Sequence, residues 1–156
     1  MDPYLLLKTV HVIGATVLLG TGAGIAFFMV MANRTANPVL VAHVTRTVVV
    51  ADLVFTATAV VLQPMTGMTL ARMTHQPLLH GWIGVSLALY VLVGVFWLPV
   101  VWMQSKMHEL AAKAVEDGED LPPEYHRLYR RWFACGFPAF AAVLGIIWLM
   151  VAKPSF

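Results

Sequence analysis

Residues 80–103, HGWIGVSLALYVLVGVFWLPVVWM, form an apolar stretch of 24 residues without Asp, Glu, Lys or Arg. A helix of about 20 residues crosses a hydrocarbon core about 30 Å thick, so this stretch predicts a transmembrane helix. Similar stretches occupy residues 4–32, 39–64 and 132–152. Lipid offers the backbone no hydrogen-bond partner and the alternating polarity of barrel strands is missing, so we expect helices throughout. The sequence therefore predicts an all-α membrane protein, a single domain over residues 1–156 built as a four-helix bundle.

The composition of the whole chain supports a membrane location. Of 156 residues, 60% are hydrophobic and only 12% are charged, which excludes a water-soluble enzyme and a disordered chain. The formal net charge of +2 gives no basis for nucleic-acid binding, so the expected partner of most of the surface is the lipid bilayer. The single cysteine, Cys135, excludes an intrachain disulfide and is expected to pack as a thiol.

Positive charges predict the orientation of the bundle. Cytoplasmic loops carry an excess of Lys and Arg, so we expect both termini outside and the more basic end inside. Residues 104–116 are expected to extend the third helix into the cytoplasm, with Glu109 and Lys113 paired one turn apart. Trp97 and Trp132 are expected at the inner interface. The basic residues predicted inside are Arg34, Arg46, Lys106, Lys113, Arg127, Arg130 and Arg131, and those predicted outside are Lys8, Arg72 and Lys153.

His11 is the first polar residue of functional interest, about two turns into the first span. Lys8 and Gly14 lie three residues to either side of it, on roughly the same helix face. A neutral imidazole can ligate haem iron, a glycine admits a flat ring, and a lysine can meet a propionate. No Cys-x-x-Cys-His motif is present, so any haem is expected to be haem b. The alternative is a histidine hydrogen-bonded across helices beside a glycine that permits close packing.

A second metal ligand is expected on the same side of the membrane as His11. His80, at the head of the third span, is the predicted second ligand, and Arg72 is a further candidate for a propionate. Copper is a weaker alternative, because soft thioether and imidazole ligands select Cu(I). The side chains that suggest copper, which could also be ordinary packing residues, are Met65, Met68, Met73 and His75.

Asp52 lies near the middle of the second span. An ionisable side chain is expensive to insert there, so we expect it to face the bundle interior and to act as the catalytic, proton-relaying residue. The structural alternative is a hydrogen bond to a Thr or Trp of another helix, or a pair with Arg46. Residues 63–67, Gln-Pro-Met-Thr-Gly, predict a helix break in which the proline frees carbonyl groups for a polar cavity or a ligand.

These residues resemble the pattern of a family of small predicted integral membrane proteins of bacteria, over nearly the whole chain. That family is a domain of unknown function, so the resemblance implies a multi-pass topology in the bacterial inner membrane. Residues 5–25 are also distantly similar to membrane-bound protoporphyrinogen oxidases and to copper-resistance membrane domains. The resemblance to the oxidases implies haem b with His11 as an axial ligand. The positions that carry the first resemblance are Leu6, Leu7, Lys8, His11, Asp52, Gln63, Pro64, Thr66, Gly67, Trp97, Leu98, Pro99, Arg131 and Trp132.

Two functions from different classes follow. The first is an inner-membrane haem b-binding protein with an electron-transfer or oxidoreductase role, whose expected partner is a quinone or another membrane redox component. The second is a small oligomeric transporter, or a transport accessory, for a metal ion or a proton-coupled solute, with Asp52 and residues 63–67 lining a polar path. A scaffold that binds another membrane protein, or a second copy, through its glycine faces is a third interpretation.

Overall fold

The computed structural model describes residues 2–155, and every regular element in that range is helical. Four of its helices are long and apolar enough to cross a membrane, which confirms the predicted four-helix membrane fold. The second of these, Pro38–Met73, is interrupted by one π-helical turn. The elements are α1 (Pro3–Arg34), α2 (Pro38–Ala51), the π turn (Asp52–Thr56), α3 (Ala57–Met73), α4 (Gly81–Asp117) and α5 (Pro123–Ala152).

Local sequence sets the helix boundaries. The Asp2 carboxylate accepts a hydrogen bond from the Tyr4 amide at 3.0 Å, and Pro3 occupies the first turn, where its missing N–H costs nothing. Asn37 caps α2 in the same way, accepting from the Val39 amide at 2.9 Å. Gly118 ends α4 in the left-handed conformation, at φ 68°, as the Asp-Gly sequence predicts.

The second long helix extends further than the sequence predicts. Its expected end was residue 64, but the helix continues through Pro64 to Met73. Pro64 leaves one backbone carbonyl without its helical partner. A side chain of α4 donates a hydrogen bond to that carbonyl, so the helix tolerates the proline.

The extension of α4 beyond the predicted span is confirmed, but its ion pair differs from the expected one. Lys106 donates to Glu109 at 2.8 Å, one turn earlier than the predicted pair of Glu109 with Lys113. The hydrogen bond and charge of Lys106 lower the pKa of the Glu109 carboxyl. Both side chains are well exposed, so this pair contributes little to stability.

Successive long helices run in opposite directions. His11, early in α1, meets Thr66, late in the second helix, and the Lys153 ammonium lies 5.9 Å from the centre of the Trp82 ring. The beginning of the chain, the end of α5 and the turn before α4 therefore share one end of the bundle, called here the terminal end. The opposite end, called the basic end, carries Arg34 and the first turns of α5.

The best-packed region lies toward the basic end. Fully buried side chains there come from α1, α2, α4 and α5, with Tyr125 as the largest. Large apolar side chains elsewhere face outward, and Phe27, Leu53 and Trp148 are each more than half exposed. Such a surface is unfavourable in water and is matched by lipid. The tightly packed members at the basic end are Met29, Val41, Met103, Met107, Ala111, Tyr125, Leu128 and Trp132.

Candidate functional site

A cavity of about 500 Å³ lies at the centre of the bundle. Its wall is mainly apolar, with small and aliphatic residues from α1 and aromatic and aliphatic residues from α5. Trp132 and the packed core close the cavity toward the basic end. Polar side chains on the wall belong to the second helix, α4 and α5, namely Asp52, Thr56, Gln63, Tyr90, Trp97, Gln104 and Trp132.

Asp52 is buried at the first residue of the π turn. The Ala57 amide bonds to the Asp52 carbonyl, five residues back rather than four, which widens the helix at this point. Single π turns inside α-helices are frequent at functional sites. Here the turn places two buried polar residues, Asp52 and Thr56, on the cavity wall.

Two neutral donors from α4 reach the Asp52 carboxyl group. Trp97 Nε1 donates to Asp52 Oδ1 at 3.4 Å. In the amide orientation that satisfies both of its neighbours, Gln104 donates to Asp52 Oδ2 at 2.6 Å and accepts from Trp132 Nε1 at 3.2 Å. These four side chains are called the Asp52 network.

The Asp52 network decides between the structural partners expected for this residue. A hydrogen bond from a tryptophan of another helix is confirmed. Pairing with Arg46 is wrong, because Arg46 is exposed and the ion pair found within residues 2–155 is that of Lys106 with Glu109. The carboxyl group is thus held by neutral dipoles, and the cavity wall carries no basic side chain within residues 2–155.

Thr56 presents a free hydroxyl group to the cavity. Its side chain is 7% exposed, and its Oγ makes no hydrogen bond of ordinary length and angle in the range 2–155, although it lies close enough to the Asp52 carboxyl to interact with it. A buried polar group without a partner costs about 1–3 kcal/mol. The hydroxyl is therefore available to a ligand that enters the cavity.

Tyr90 bonds the carbonyl that Pro64 leaves free. A proline lacks the N–H that would normally reach the carbonyl four residues earlier, in this case that of Val60. The Tyr90 hydroxyl donates to that Val60 carbonyl oxygen. The sequence prediction that Pro64 frees a carbonyl is consistent with this bond, and the partner is a side chain of α4.

His11 packs closely against α3. Its Nδ1 lies 2.8 Å from Thr66 Oγ, and Gln63 Nε2 donates to the His11 carbonyl oxygen at 2.8 Å. Two glycines permit this approach: a Cβ on Gly14 would lie 2.3 Å from Gln63 Nε2, and a Cβ on Gly67 would lie 3.1 Å from His11 Cε1. The structure thus brings His11 and Gly14 together with Gln63, Thr66 and Gly67. The Gln63 side chain fills the space beside Gly14.

The hydrogen bonds of Thr66 favour a proton on His11 Nδ1. Thr66 Oγ donates to the Leu62 carbonyl at 2.7 Å, so toward the imidazole it acts as an acceptor. The Nδ1 of a neutral His11 then carries the proton, and Nε2 keeps its lone pair. This is the arrangement that a metal-ligating histidine usually has, with the second nitrogen bonded to an orienting group.

The other residues predicted to help bind haem lie apart from the His11 contacts. Lys8 Nζ lies 5.8 Å from the centre of the Tyr4 ring, Arg72 is exposed in the last turn of α3, and His80 is exposed at the N-cap of α4. No hydrogen bond in the described range joins any of them to His11. Their roles as ligand or propionate partners stay predictions.

The metal-binding alternatives receive no further support from the geometry. Residues 2–155 contain no group of three or more His, Cys, Asp or Glu side chains arranged to hold a metal. The cavity wall, as far as the structure describes it, includes no His, Cys or Met, so haem inside the cavity would find none of these axial ligands there. The residues predicted for copper have exposed side chains along α3 and the following turn, at Met65, Met68, Met73 and His75.

Sequence reasoning missed the most important partner of Asp52. Gln104 was treated as the start of a water-exposed extension, yet it is 2% exposed inside the bundle. Tyr90, Trp97 and Gln104 are spaced seven residues apart, which places them on one face of α4. That stripe of hydrogen-bonding side chains was the available signal.

Comparison with known proteins gives the family of the chain. No curated protein and no solved structure matches it significantly. The model of one family, described as a predicted integral membrane protein (DUF2269), matches residues 5–154. The helical architecture and the family match agree, and the chain belongs to this family of predicted integral membrane proteins, whose function is unknown.

Proposed function

We propose that this protein is a redox protein of the bacterial inner membrane that binds a lipophilic ligand in its central cavity, next to Asp52. The observation that carries the proposal is the Asp52 network on the wall of an otherwise apolar cavity. Ligand sites commonly have volumes of about 300–1,000 Å³ and combine apolar walls with a few convergent polar groups. A cavity of about 500 Å³ falls within that range.

The surroundings of the cavity favour access from the bilayer. α1 and α5 contact each other only sparsely, whereas α4 and α5 pack along much of their length. Phe133 and Phe137 line the cavity and are nevertheless 44% and 64% exposed, so this side of the wall also faces the surroundings. A lipophilic molecule can therefore pass between α1 and α5 without crossing water.

Asp52 is proposed to exchange a proton with the bound ligand. It is the one carboxyl group on the cavity wall in the described range, and its two oxygens are oriented by Trp97 and Gln104. Intramembrane carboxyl groups are costly and commonly mark proton pathways. The basic end is proposed to be cytoplasmic, with both termini outside, because it carries most of the Lys and Arg residues.

A matched pair of glycine variants tests the cavity. A Cβ at either Gly22 or Gly20 meets nothing within 4 Å, but only Gly22 lines the central cavity, and the two residues lie on opposite faces of α1. Gly22→Leu should fill the cavity, whereas Gly20→Leu should leave it open. The protein is purified in mild detergent, extracted with organic solvent and analysed by mass spectrometry. We expect a lipophilic molecule with wild type and Gly20→Leu, and its loss in Gly22→Leu. Equal recovery from both variants would contradict the proposal.

Haem b at His11 is a second candidate, favoured by the free Nε2 lone pair that the Thr66 hydrogen bond implies. The haem would supply one-electron chemistry, and Lys8 and Arg72 would meet its propionates. Oxidised and dithionite-reduced spectra with a pyridine haemochrome assay test this candidate. We expect a stoichiometric Soret band that disappears in His11→Ala and persists in His126→Ala. If the protein stays colourless after haem reconstitution, haem binding is excluded. The cavity proposal would not be affected by that result.

A further inference from the structure

We infer that the cavity ligand belongs to the quinone class, with a carbonyl oxygen of its ring accepting a hydrogen bond from Thr56 Oγ. This inference rests on the proposed function and adds the chemistry of the ligand and the residue that recognises it. It follows from three features of the cavity in the part of the chain that the structure describes: a hydroxyl without a hydrogen bond of ordinary geometry, flat aromatic walls and no cationic side chain on the wall.

The Thr56 hydroxyl makes no hydrogen bond to the backbone carbonyl four residues earlier. Other threonines in these helices bond to the carbonyl four residues earlier, as Thr45 does to Val41 and Thr58 does to Val54. Thr56 makes no such bond, and its hydroxyl lies on the cavity wall near the Asp52 carboxyl, without a hydrogen bond of ordinary length and angle in the described range. A ligand acceptor would remove the cost of this buried unpaired group.

The walls near this donor suit a flat ring. Tyr90 and Trp97 line the cavity from α4, while Phe133, Phe137 and Phe140 line it from α5. Aromatic side chains pack favourably against a planar ring in offset or edge-on arrangements. A ring placed between α4 and α5 would lie beside the π turn that carries Thr56.

The rest of the wall suits an uncharged, branched hydrocarbon tail. Beyond the polar corner the lining is aliphatic, with Leu18 and Leu19 on α1 and Val143, Ile146 and Ile147 on α5. No Lys, Arg or His belongs to the described wall, so a phosphate or a carboxylate would enter without a counter-ion. A neutral carbonyl-bearing ring with an isoprenoid tail meets all of these conditions, whereas a phospholipid headgroup or a porphyrin with propionates does not.

Two ligands of similar shape separate hydrogen bonding from simple hydrophobic filling. Decyl-benzoquinone carries ring carbonyls, and decylbenzene has a similar ring and tail without oxygen. Their binding to purified protein in detergent is measured by equilibrium dialysis, with empty micelles subtracted. We expect saturable binding of the quinone that is weakened about five- to tenfold in Thr56→Val, as for the loss of one hydrogen bond. Thr56→Ser should restore the affinity, because it keeps the hydroxyl group.

Thr58→Val is the control, since Thr58 is exposed and its hydroxyl is already bonded to Val54. It should leave the binding of both ligands unchanged, and Thr56→Val should leave decylbenzene binding unchanged. If both ligands bind equally and Thr56→Val affects neither, the quinone class is overturned while the cavity function stands. If neither ligand binds and no lipophilic molecule depends on Gly22, the proposed function fails as well.

Discussion

The hydroxyl group of Tyr90 donates to the backbone carbonyl of Val60, the carbonyl that Pro64 deprives of its helical partner. A freed carbonyl in the bilayer must be satisfied by a side chain, because lipid offers no donor. This bond explains why the second long helix continues past a proline to Met73, and it joins that helix to α4 beside the cavity.

Removing the Tyr90 hydroxyl should therefore destabilise the protein only while Pro64 is present. Tyr90→Phe leaves the Val60 carbonyl unpaired, and we expect a loss of about 1–3 kcal/mol in the free energy of unfolding. Pro64→Ala restores an amide N–H at position 64, so adding Tyr90→Phe to that variant should cost much less. Thermal unfolding followed by circular dichroism in detergent measures this double-mutant cycle. An equal cost in both backgrounds would show that the two residues are not coupled.

The contact of Gly14 with Gln63 predicts a position-specific effect of added methyl groups. In Gly14→Ala the new Cβ would lie 2.3 Å from Gln63 Nε2, so the side chain or the helix must move. Because Nε2 is the end of a flexible side chain, Gln63 can move aside, and we expect Gly14→Ala to cost about 0.5–1.5 kcal/mol relative to Gly22→Ala through the lost hydrogen bond to the His11 carbonyl. Gly22→Ala is the matched control, because its Cβ meets nothing within 4 Å. Similar melting temperatures for the two variants would contradict close packing of α1 on α3.

The Asp52 network predicts an order of stability losses. Gln104→Leu leaves both Asp52 Oδ2 and Trp132 Nε1 without a partner, so we expect a cost of at least about 2 kcal/mol. Trp97→Phe removes only a hydrogen bond of 3.4 Å and should cost less. Gln76→Leu, at an exposed position between α3 and α4, should leave the melting temperature unchanged. The prediction is wrong if Trp97→Phe proves the more damaging change.

The buried ring of Tyr125 predicts opposite effects for two substitutions. Its side chain is fully buried, while its hydroxyl lies close to the Asn33 side chain but makes no hydrogen bond of ordinary length and angle in the described range. Tyr125→Phe removes an unpaired polar group and should leave stability unchanged or raise it. Tyr125→Ala empties the site in the packed core and should cost about 3–5 kcal/mol. A marked loss in Tyr125→Phe would reveal a hydrogen bond that the structure does not show.

Hydropathy and local signals were sufficient to predict the main features of the fold. Apolar length predicts four spanning helices because backbone groups in lipid must be paired within a helix, and Gly118 ends α4 where its sequence indicates. The end of the second helix was not predictable in this way, because its passage through Pro64 depends on Tyr90, a residue distant in sequence.

The candidate site could be predicted only in part. Asp52 stood out because a carboxyl group in a span is costly, and a tryptophan was among its expected partners. Gln104 did not stand out, because it lies where an apolar run gives way to polar residues, and only its seven-residue spacing from Trp97 and Tyr90 indicates that it shares their helix face. The π turn has no sequence signature that composition or periodicity could reveal.

Pro99 lies inside α4 between Trp97 and Gln104, the two residues of this helix that hold Asp52. A proline removes one backbone hydrogen bond and makes its turn the easiest place for a helix to bend. From Gln104 the same helix continues to Asp117, which corresponds to about 20 Å of rod beyond the cavity. A tilt of this helical extension would bend α4 at Pro99. Such a bend would change the distance between the Trp97 and Gln104 donors and so alter their hydrogen bonds to the Asp52 carboxyl group.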